Sequence, residues 1–383
     1  MPDLLKQPRF QFKGDKILLI LVFLLSTLSV LVVYSTDGGR VLNHIFHLLV
    51  CYGIMAFVYL IDYRLVGVLS PVLFMGALVL LGFTLFSQAV RGVTIMGHDV
   101  QTFYLIGFMV IIYISNFIAR RYKDGNELTT HEVVHVFGVM CIFALGMAAL
   151  NMSTAIIFFI TCLMMFFVAN FKTKQLLFVS GLAALAVTCV ALVVLVSMKS
   201  DQDLHIGRMT TFVNRIEYYL TKDNSQNYGD QMVLSRAAIA RGGFHPAGPG
   251  KGVIKNRLPE NSTDYAFASL YEEIGIAAGI LIIMIYLIFF YRAREISKNA
   301  GGPFGKLLAF GIGFWLTSQA LVHIGVNCDL LPATGQTLPL ISSGGASLIV
   351  SGSAIGLLLN ISKLDAKQIA KTTEKPRFVR GDH

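Results

Sequence analysis

The chain has 383 residues, of which 55% are hydrophobic and only 14% charged. Soluble domains carry about 25% charged residues, so this composition excludes an ordinary water-soluble globule. The net charge of +9 does not mark a nucleic-acid binder, because Lys and Arg sit mostly in short connections and tails, where the positive-inside rule expects them.

Residues 1–16 are polar and basic. The apolar block after them lacks a small-residue cleavage site of the A-x-A kind, so it reads as a first spanning helix rather than a signal peptide. A helix needs about 20 apolar residues to cross the hydrocarbon core. Blocks of that order run over residues 17–34, 44–61, 65–86, 102–118, 133–150, 154–170, 176–198, 274–291, 307–326 and 338–361. The expected class is therefore all-α, a polytopic membrane protein of about ten transmembrane helices. Five cysteines (Cys51, Cys141, Cys162, Cys189, Cys328) are scattered without metal or disulfide spacing and read as inert thiols.

The basic clusters fix the expected orientation. Lys6, Arg9, Lys13 and Lys16 precede the first block, and Arg120, Arg121 and Lys123 follow the fourth. Lys172 and Lys174 follow the sixth, Arg292, Arg294 and Lys298 the eighth, and the tail 362–383 is basic throughout. With ten spans all of these fall on one side, so both termini are expected in the cytoplasm. The transmembrane domain is 17–361. The connection 199–263, between the seventh and eighth spans, then lies outside; its nine Lys or Arg residues do not overturn the topology, since long loops translocate largely regardless of charge. Loops of this length are functional or disordered, which makes it the place to look for chemistry.

Within the loop, Arg241-Gly242-Gly243 and Gly248-Pro249-Gly250-Lys251-Gly252 place five glycines in eleven residues beside basic side chains. Such a stretch lets backbone N–H groups approach an anion, but it is more often simply a flexible loop. It is not a Walker A loop, because Gly252 follows Lys251 and His245 occupies the first required glycine. Next, Leu258-Pro259-Glu260-Asn261-Ser262-Thr263-Asp264-Tyr265 runs into the eighth span. Pro259 suits a helix start and Ser262 or Thr263 an N-cap. Asp264 reads either as a carboxylate favouring the helix dipole or as a functional carboxylate at the membrane surface. On a continuous helix Glu272 and Glu273 cannot share its face; Glu260 is its i,i+4 neighbour if the helix begins at Pro259.

Polar groups within the last two spans default to functional hypotheses. His323 and Asn327 lie in one, and Ser342-Ser343-Gly344-Gly345 in the other. His323 divides evenly between a satisfied interhelical bond and a site residue. The Gly275/Gly279 and Gly352/Gly356 pairs read as packing positions.

Taken in order, Gly242-Gly243, Leu258-Pro259-Glu260, Thr263-Asp264-Tyr265, Glu272-Glu273-Ile274-Gly275, Leu331-Pro332, Thr337-Leu338-Pro339-Leu340-Ile341-Ser342 and Gly344-Gly345 resemble the SEDS family (shape, elongation, division and sporulation), its FtsW-like division branch in particular. The resemblance covers nearly the whole chain. It implies a peptidoglycan glycosyltransferase that polymerises lipid II outside the cytoplasmic membrane, beside a class B penicillin-binding transpeptidase (FtsI-like) and other divisome membrane proteins, at the division septum. Asp264 matches the family's essential loop aspartate, as general base or as ligand to a divalent cation (Mg²⁺ or Mn²⁺). Arg208, Arg241, Lys251 and Lys255 are candidates to compensate the departing pyrophosphate, with Lys255 fitting best; Gly248, Gly250, Glu260, His323 and Ser342 are further substrate-binding candidates. The chain departs from the family at Gln101-Thr102-Phe103-Tyr104, at Asn151-Met152, at His323 where Asn is usual and at Ser343 where Tyr is usual. A lipid II flippase and a non-catalytic scaffold are the competing expectations; the first predicts dependence on His323 and Asn327, the second tolerance of Asp264→Ala.

Overall fold

The structure is a computed structural model that describes residues 13–86, 93–95, 98–123, 128–169, 181, 208–221 and 229–373. Among these, seven helical stretches are long and apolar enough to cross a membrane. They belong to α1 (Lys16–Thr36), α2 (Val41–Leu60), α5 (Thr102–Lys123), α6 (Thr130–Leu150), α11 (Ile276–Asn299), α12 (Pro303–Asn327) and α13 (Gly345–Thr373). Shorter apolar helices α4 (Ser70–Phe86) and α7 (Met152–Val168) add two more. The expected seventh span, 176–198, lies outside the described residues except for residue 181. The remaining helices are α3 (Tyr63–Val68), α8 (Arg208–Thr221), α9 (Gly229–Gly242) and α10 (Ala266–Ile274). A two-stranded antiparallel ribbon, β1 (Val93–Ile95) and β2 (His98–Val100), pairs Thr94 with Asp99.

Large apolar side chains on the outside of the bundle, among them Phe46, Phe57, Val79 and Phe86, are exposed. Water would penalise such a surface and hydrocarbon does not, so the chain is a multi-pass membrane protein. Its centre is α5, α12 and α13, whose apolar windows are 72%, 78% and 72% buried, against 22% for the stretch containing α2. Small residues let the helices approach: a Cβ on Gly352 would stand 2.8 Å from the Cys51 carbonyl oxygen, and one on Gly356 2.7 Å from that of Met55. The Gly352/Gly356 pair is thus the seam between α13 and α2.

Three expected spans are corrected. The block 65–86 is two helices, α3 and α4, with Asp62 capping the first through its bond from the Arg64 amide (2.9 Å). The eighth breaks at Gly275 (φ +78), where α10 ends and α11 begins; a side chain there would also strike the Gly243 and Gly242 carbonyls at 2.8 and 3.0 Å. The tenth starts at Gly345 rather than Leu338. Pro339 has no N–H to give a helix and Leu340 takes φ +64, so 338–343 forms a buried turn, closed by the Leu338 amide donating to Ser342 Oγ (2.8 Å).

One end of the bundle is fastened by Asp15. It caps α1 by accepting from the Leu18 amide (3.0 Å), pairs with Arg292 at the end of α11 (2.5 Å), and donates its own amide to Ser362 on α13 (3.0 Å). Asn360 accepts from the Tyr63 amide (2.9 Å) and donates to the Tyr59 carbonyl (2.7 Å), joining α13 to the α2–α3 corner. The loops 243–265 and 328–344 gather at the opposite end.

Candidate functional site

The glycine-rich segment is where sequence and structure differ most usefully. It does form an anion cradle, but the anions belong to the chain. Glu272 and Glu273, both buried on α10, are wrapped by it. Glu272 accepts from the amides of Val253 (2.8 Å), Ile254 (2.9 Å) and Lys255 (2.8 Å), while Glu273 accepts from those of Gly250 (3.1 Å) and Gly252 (3.4 Å). The turn that makes this wrapping follows from Gly248 (φ +88) and Gly250 (φ +77). Gly242, at the end of α9, has no alternative, since a Cβ there would sit 2.0 Å from the Tyr271 carbonyl oxygen.

Buried carboxylates also need charge partners. The fully buried ammonium of Lys255 bonds Glu273 and the Ser35 hydroxyl, and donates to the Ser35 carbonyl at 2.5 Å. Lys255 was the best-placed pyrophosphate cation by sequence; the structure instead encloses it in an internal ion pair. Arg241 turns its Nε towards Glu272 at 3.6 Å. Lys251 is exposed on the loop. Arg208 opens α8, and its side chain lies outside the described part of the structure.

Asp264 sits beyond this wrapped loop, half-buried. The expected helix from Pro259 is absent: Glu260 takes φ +54, and α10 begins at Ala266 with no side-chain cap from Ser262 or Thr263. Instead the Thr263 hydroxyl donates to Glu260 (2.6 Å) and the Tyr265 amide to the Glu260 carbonyl (3.1 Å). The backbone around Asp264 is held from two further sides. Asn327, at the end of α12, donates to the Asp264 carbonyl (3.1 Å) and accepts from the Ala268 amide (3.0 Å). From the loop before α13, Ser342 Oγ donates to the Thr263 carbonyl (2.6 Å) and the Ser343 amide to the Ser262 carbonyl (2.9 Å).

The carboxylate itself faces Gly335: a Cβ on that glycine would lie 3.6 Å from Asp264 Oδ2 and 3.8 Å from the Asn151 amide nitrogen. Asn151 N-caps α7 through the Thr154 amide (3.1 Å) and donates to the Gly335 carbonyl (3.4 Å). Gln336 donates to Thr154 (2.5 Å) and Asn151 (3.3 Å), and Tyr104 at the start of α5 accepts from the Thr337 amide (3.0 Å). His323 donates from Nδ1 to the Gln336 carbonyl (2.7 Å), leaving its buried Nε2 without a partner. Tyr265, buried beside Asp264, has its phenol pushed up to about 12 by burial and by the Asp264 charge, against the opposing effect of Arg215.

The structure therefore brings Asp264, Ser342 and His323 to one end of the bundle through the 331–344 loop, with Glu260 on the turn before Asp264. It turns Lys255 and the glycine-rich loop towards Glu272 and Glu273. Asn151, Gln336, Tyr104 and Arg215 also belong to this end and were not picked out as site residues. Their one sequence signal is position, as polar residues at the ends of apolar blocks or on the loop side of the bundle. Among the described residues no group of three or more His, Cys, Asp or Glu side chains is placed to hold a metal.

Residues 15–367 match the family model for FtsW, RodA and SpoVE, described as cell cycle protein. The chain is 28% identical over 382 residues to the probable peptidoglycan glycosyltransferase FtsW of Trichlorobacter lovleyi, covering 94% of this chain and 96% of that one. It is 29% identical over 293 residues to the protein of the same description from Francisella salina (76% and 69% covered) and 30% over 255 residues to stage V sporulation protein E of Bacillus subtilis (66% and 66%). Its fold matches a chain from a peptidoglycan synthase complex studied for the coordination of polymerization and crosslinking, at TM-score 0.69 and 21% identity, over 92% of this chain and 98% of that one. Thermus thermophilus RodA gives 0.60 at 20% identity, over 91% and 96%.

Proposed function

Since the chain belongs to the FtsW/RodA/SpoVE family of cell cycle proteins, we propose that it is a lipid II polymerase of the bacterial inner membrane, working at the outer face during septal wall synthesis. The observation that carries this reading is the setting of Asp264: a half-buried carboxylate at the loop end of an apolar bundle, with its backbone fixed by Asn327 and Ser342 and neighbouring residues. Both termini are cytoplasmic in this reading, which the even number of apolar blocks in the sequence and the basic Arg292 and Lys298 near the Asp15 end support.

The reaction joins two lipid-linked disaccharides. A sugar hydroxyl of the acceptor attacks the anomeric carbon of the donor; the new C–O bond forms as the bond to the pyrophosphate breaks, and undecaprenyl pyrophosphate leaves. The hydroxyl proton passes to the Asp264 carboxylate, which acts as general base. Half-burial keeps the carboxylate reachable while removing much of the water that would otherwise solvate it. The tight backbone hold is what general base catalysis needs, because misplacement by about 1 Å costs on the order of a hundredfold in rate.

A divalent cation fits the same carboxylate: Mg²⁺ is commonly held by one or two carboxylates together with substrate phosphates, and Asp264 supplies one. When bound, such an ion would neutralise charge on the departing diphosphate. A class B transpeptidase of the FtsI type is the partner that would crosslink the strands, within a larger divisome assembly.

The test is polymerisation of purified lipid II by the reconstituted protein, alone and with its cognate transpeptidase, comparing wild type with Asp264→Ala. Long glycan strands from the first and none from a folded second are expected. Equal product from both would remove Asp264 from the chemistry, and no product from either would put a flippase or a scaffold in its place.

A further inference from the structure

We propose that Arg215 and Thr334 form the seat for the diphosphate of the lipid-linked substrate, displaced along the 333–335 segment from Asp264. The assignment of the lipid rests on the polymerase reading above; the seat itself rests on the following geometry.

Among the described cations of 229–265, three already have carboxylate partners, while Lys251 and Arg257 are exposed on the surface. Lys255 is paired with Glu273, Arg241 lies against Glu272, and Arg236 is paired with Asp329 at 3.1 Å. Arg215 differs. It is half-buried on α8, and its Nη1 donates to the Ala333 carbonyl at 3.3 Å. Tyr219, one turn along, donates to the Leu330 carbonyl (2.9 Å), so α8 is pinned against this loop by two bonds. A guanidinium has five N–H groups in a planar fork. The bond to Ala333 leaves others available, and among the described residues no carboxylate pairs with it.

The next residue, Thr334, has a buried hydroxyl with no hydrogen-bond partner. Leaving such a group unsatisfied costs about 1–3 kcal/mol, and a ligand oxygen would remove that cost. The residue after it, Gly335, is the one that faces Asp264. Three consecutive residues thus carry a held cation, a vacant hydroxyl and the approach to the base.

The spacing suits the reaction. Acceptor hydroxyl, anomeric carbon and departing diphosphate stand between a general base and the cation that receives the leaving group, a span on the order of 10 Å. Ala333 and Gly335 are two residues apart on non-helical backbone, at most ~7 Å, and Arg215 bonds the first while Asp264 faces the second, so one substrate can reach both. The charges of both reach Tyr265, which lies beside Asp264. Leu330 and Leu331, 69% and 39% exposed on the same loop, offer apolar surface next to the seat. That favours a diphosphate carried on a lipid over free pyrophosphate.

The experiment is titration of the full-length protein in detergent with undecaprenyl pyrophosphate, undecaprenyl phosphate and inorganic pyrophosphate, read by native mass spectrometry. Wild type should prefer the lipid diphosphate. Arg215→Gln should weaken it by about tenfold or more, Arg215→Lys by less, and Thr334→Val by about threefold. Arg236→Gln, which removes a neighbouring cation, should leave the affinity unchanged. Unaltered affinity in Arg215→Gln, or an equal loss in Arg236→Gln, would overturn the seat. Inorganic pyrophosphate binding as well as the lipid would overturn its lipid-linked character. Should Arg215→Gln fail to fold, Arg215→Lys carries the test, since it keeps the charge and loses the fork. Binding is read without turnover, so a wild type that binds but polymerises nothing sinks the polymerase reading alone. A polymerising wild type whose Arg215→Gln variant binds fully sinks the seat alone.

Discussion

Asp264 and Lys255 are nine residues apart and do opposite things with their charges. Asp264 is reachable, and Asp264→Asn, which keeps the shape and removes the basicity, should abolish polymerisation with melting in detergent unchanged. Lys255 is enclosed. Removing one member of a buried ion pair typically costs about 3–5 kcal/mol, so Lys255→Met should lower the melting temperature sharply, and its loss of activity should track the loss of folded protein. An undiminished melting temperature in that variant would show that the pair carries no structural weight. The sequence distinguished these two residues only through the family resemblance, which singled out Asp264. For Lys255 it offered charge and proximity to Leu258-Pro259-Glu260, and both were misleading, because its fate is set by Ser35, 220 positions away. The same limit hid Thr334 and Arg215: nothing local says that a threonine hydroxyl will be buried without a partner, or that α8 will fold back onto Ala333.

Spanning helices were legible because the bilayer demands long apolar runs, and nine of the ten expected blocks correspond to helices among the described residues, the other lying outside them. Their interruptions were less so. The Gly275 break and the late start of α13 arise from tertiary packing against Gly243 and from a turn at Pro339-Leu340, where the apolar pattern continues uninterrupted. At the seam of α2 and α13, Gly352→Leu should force apart a contact that leaves 2.8 Å to the Cys51 carbonyl. Overpacking costs typically 1–3 kcal/mol, and a lower melting temperature should report it; an unchanged one would mean that the seam yields freely. At the site end, Asn151 serves two elements at once, capping α7 and holding the Gly335 carbonyl. Asn151→Ala should cost about 1 kcal/mol as a lost cap. Through Gly335 it should also lower kcat for lipid II polymerisation by more than that stability change explains. A fall matched by loss of folded protein would reduce Asn151 to a cap.

For the whole molecule, the topology predicts that Lys251→Cys reacts with a membrane-impermeant maleimide added outside intact spheroplasts and that Lys298→Cys does not; labelling at both or the reverse pattern would overturn the orientation. The arrangement of α1 has a further consequence, one that concerns manufacture rather than catalysis. This helix is fastened at its three levels to parts of the chain made far later: Asp15 to Arg292 and Ser362, Ser29 to the Ile341 carbonyl (2.7 Å), and Ser35 to Lys255 and Glu273. Chain synthesis proceeds from the N-terminus at about 5–20 residues per second, so α1 spends tens of seconds in the membrane before these partners exist. Its polar Asp15, Ser29 and Ser35 must wait, and the outer loop cannot close around Glu272 and Glu273 until α10 has emerged. The site that holds Asp264 is therefore among the last features of the protein to be completed. A released chain ending before residue 272 should have its 243–264 segment cut readily by added protease, while the full-length chain resists.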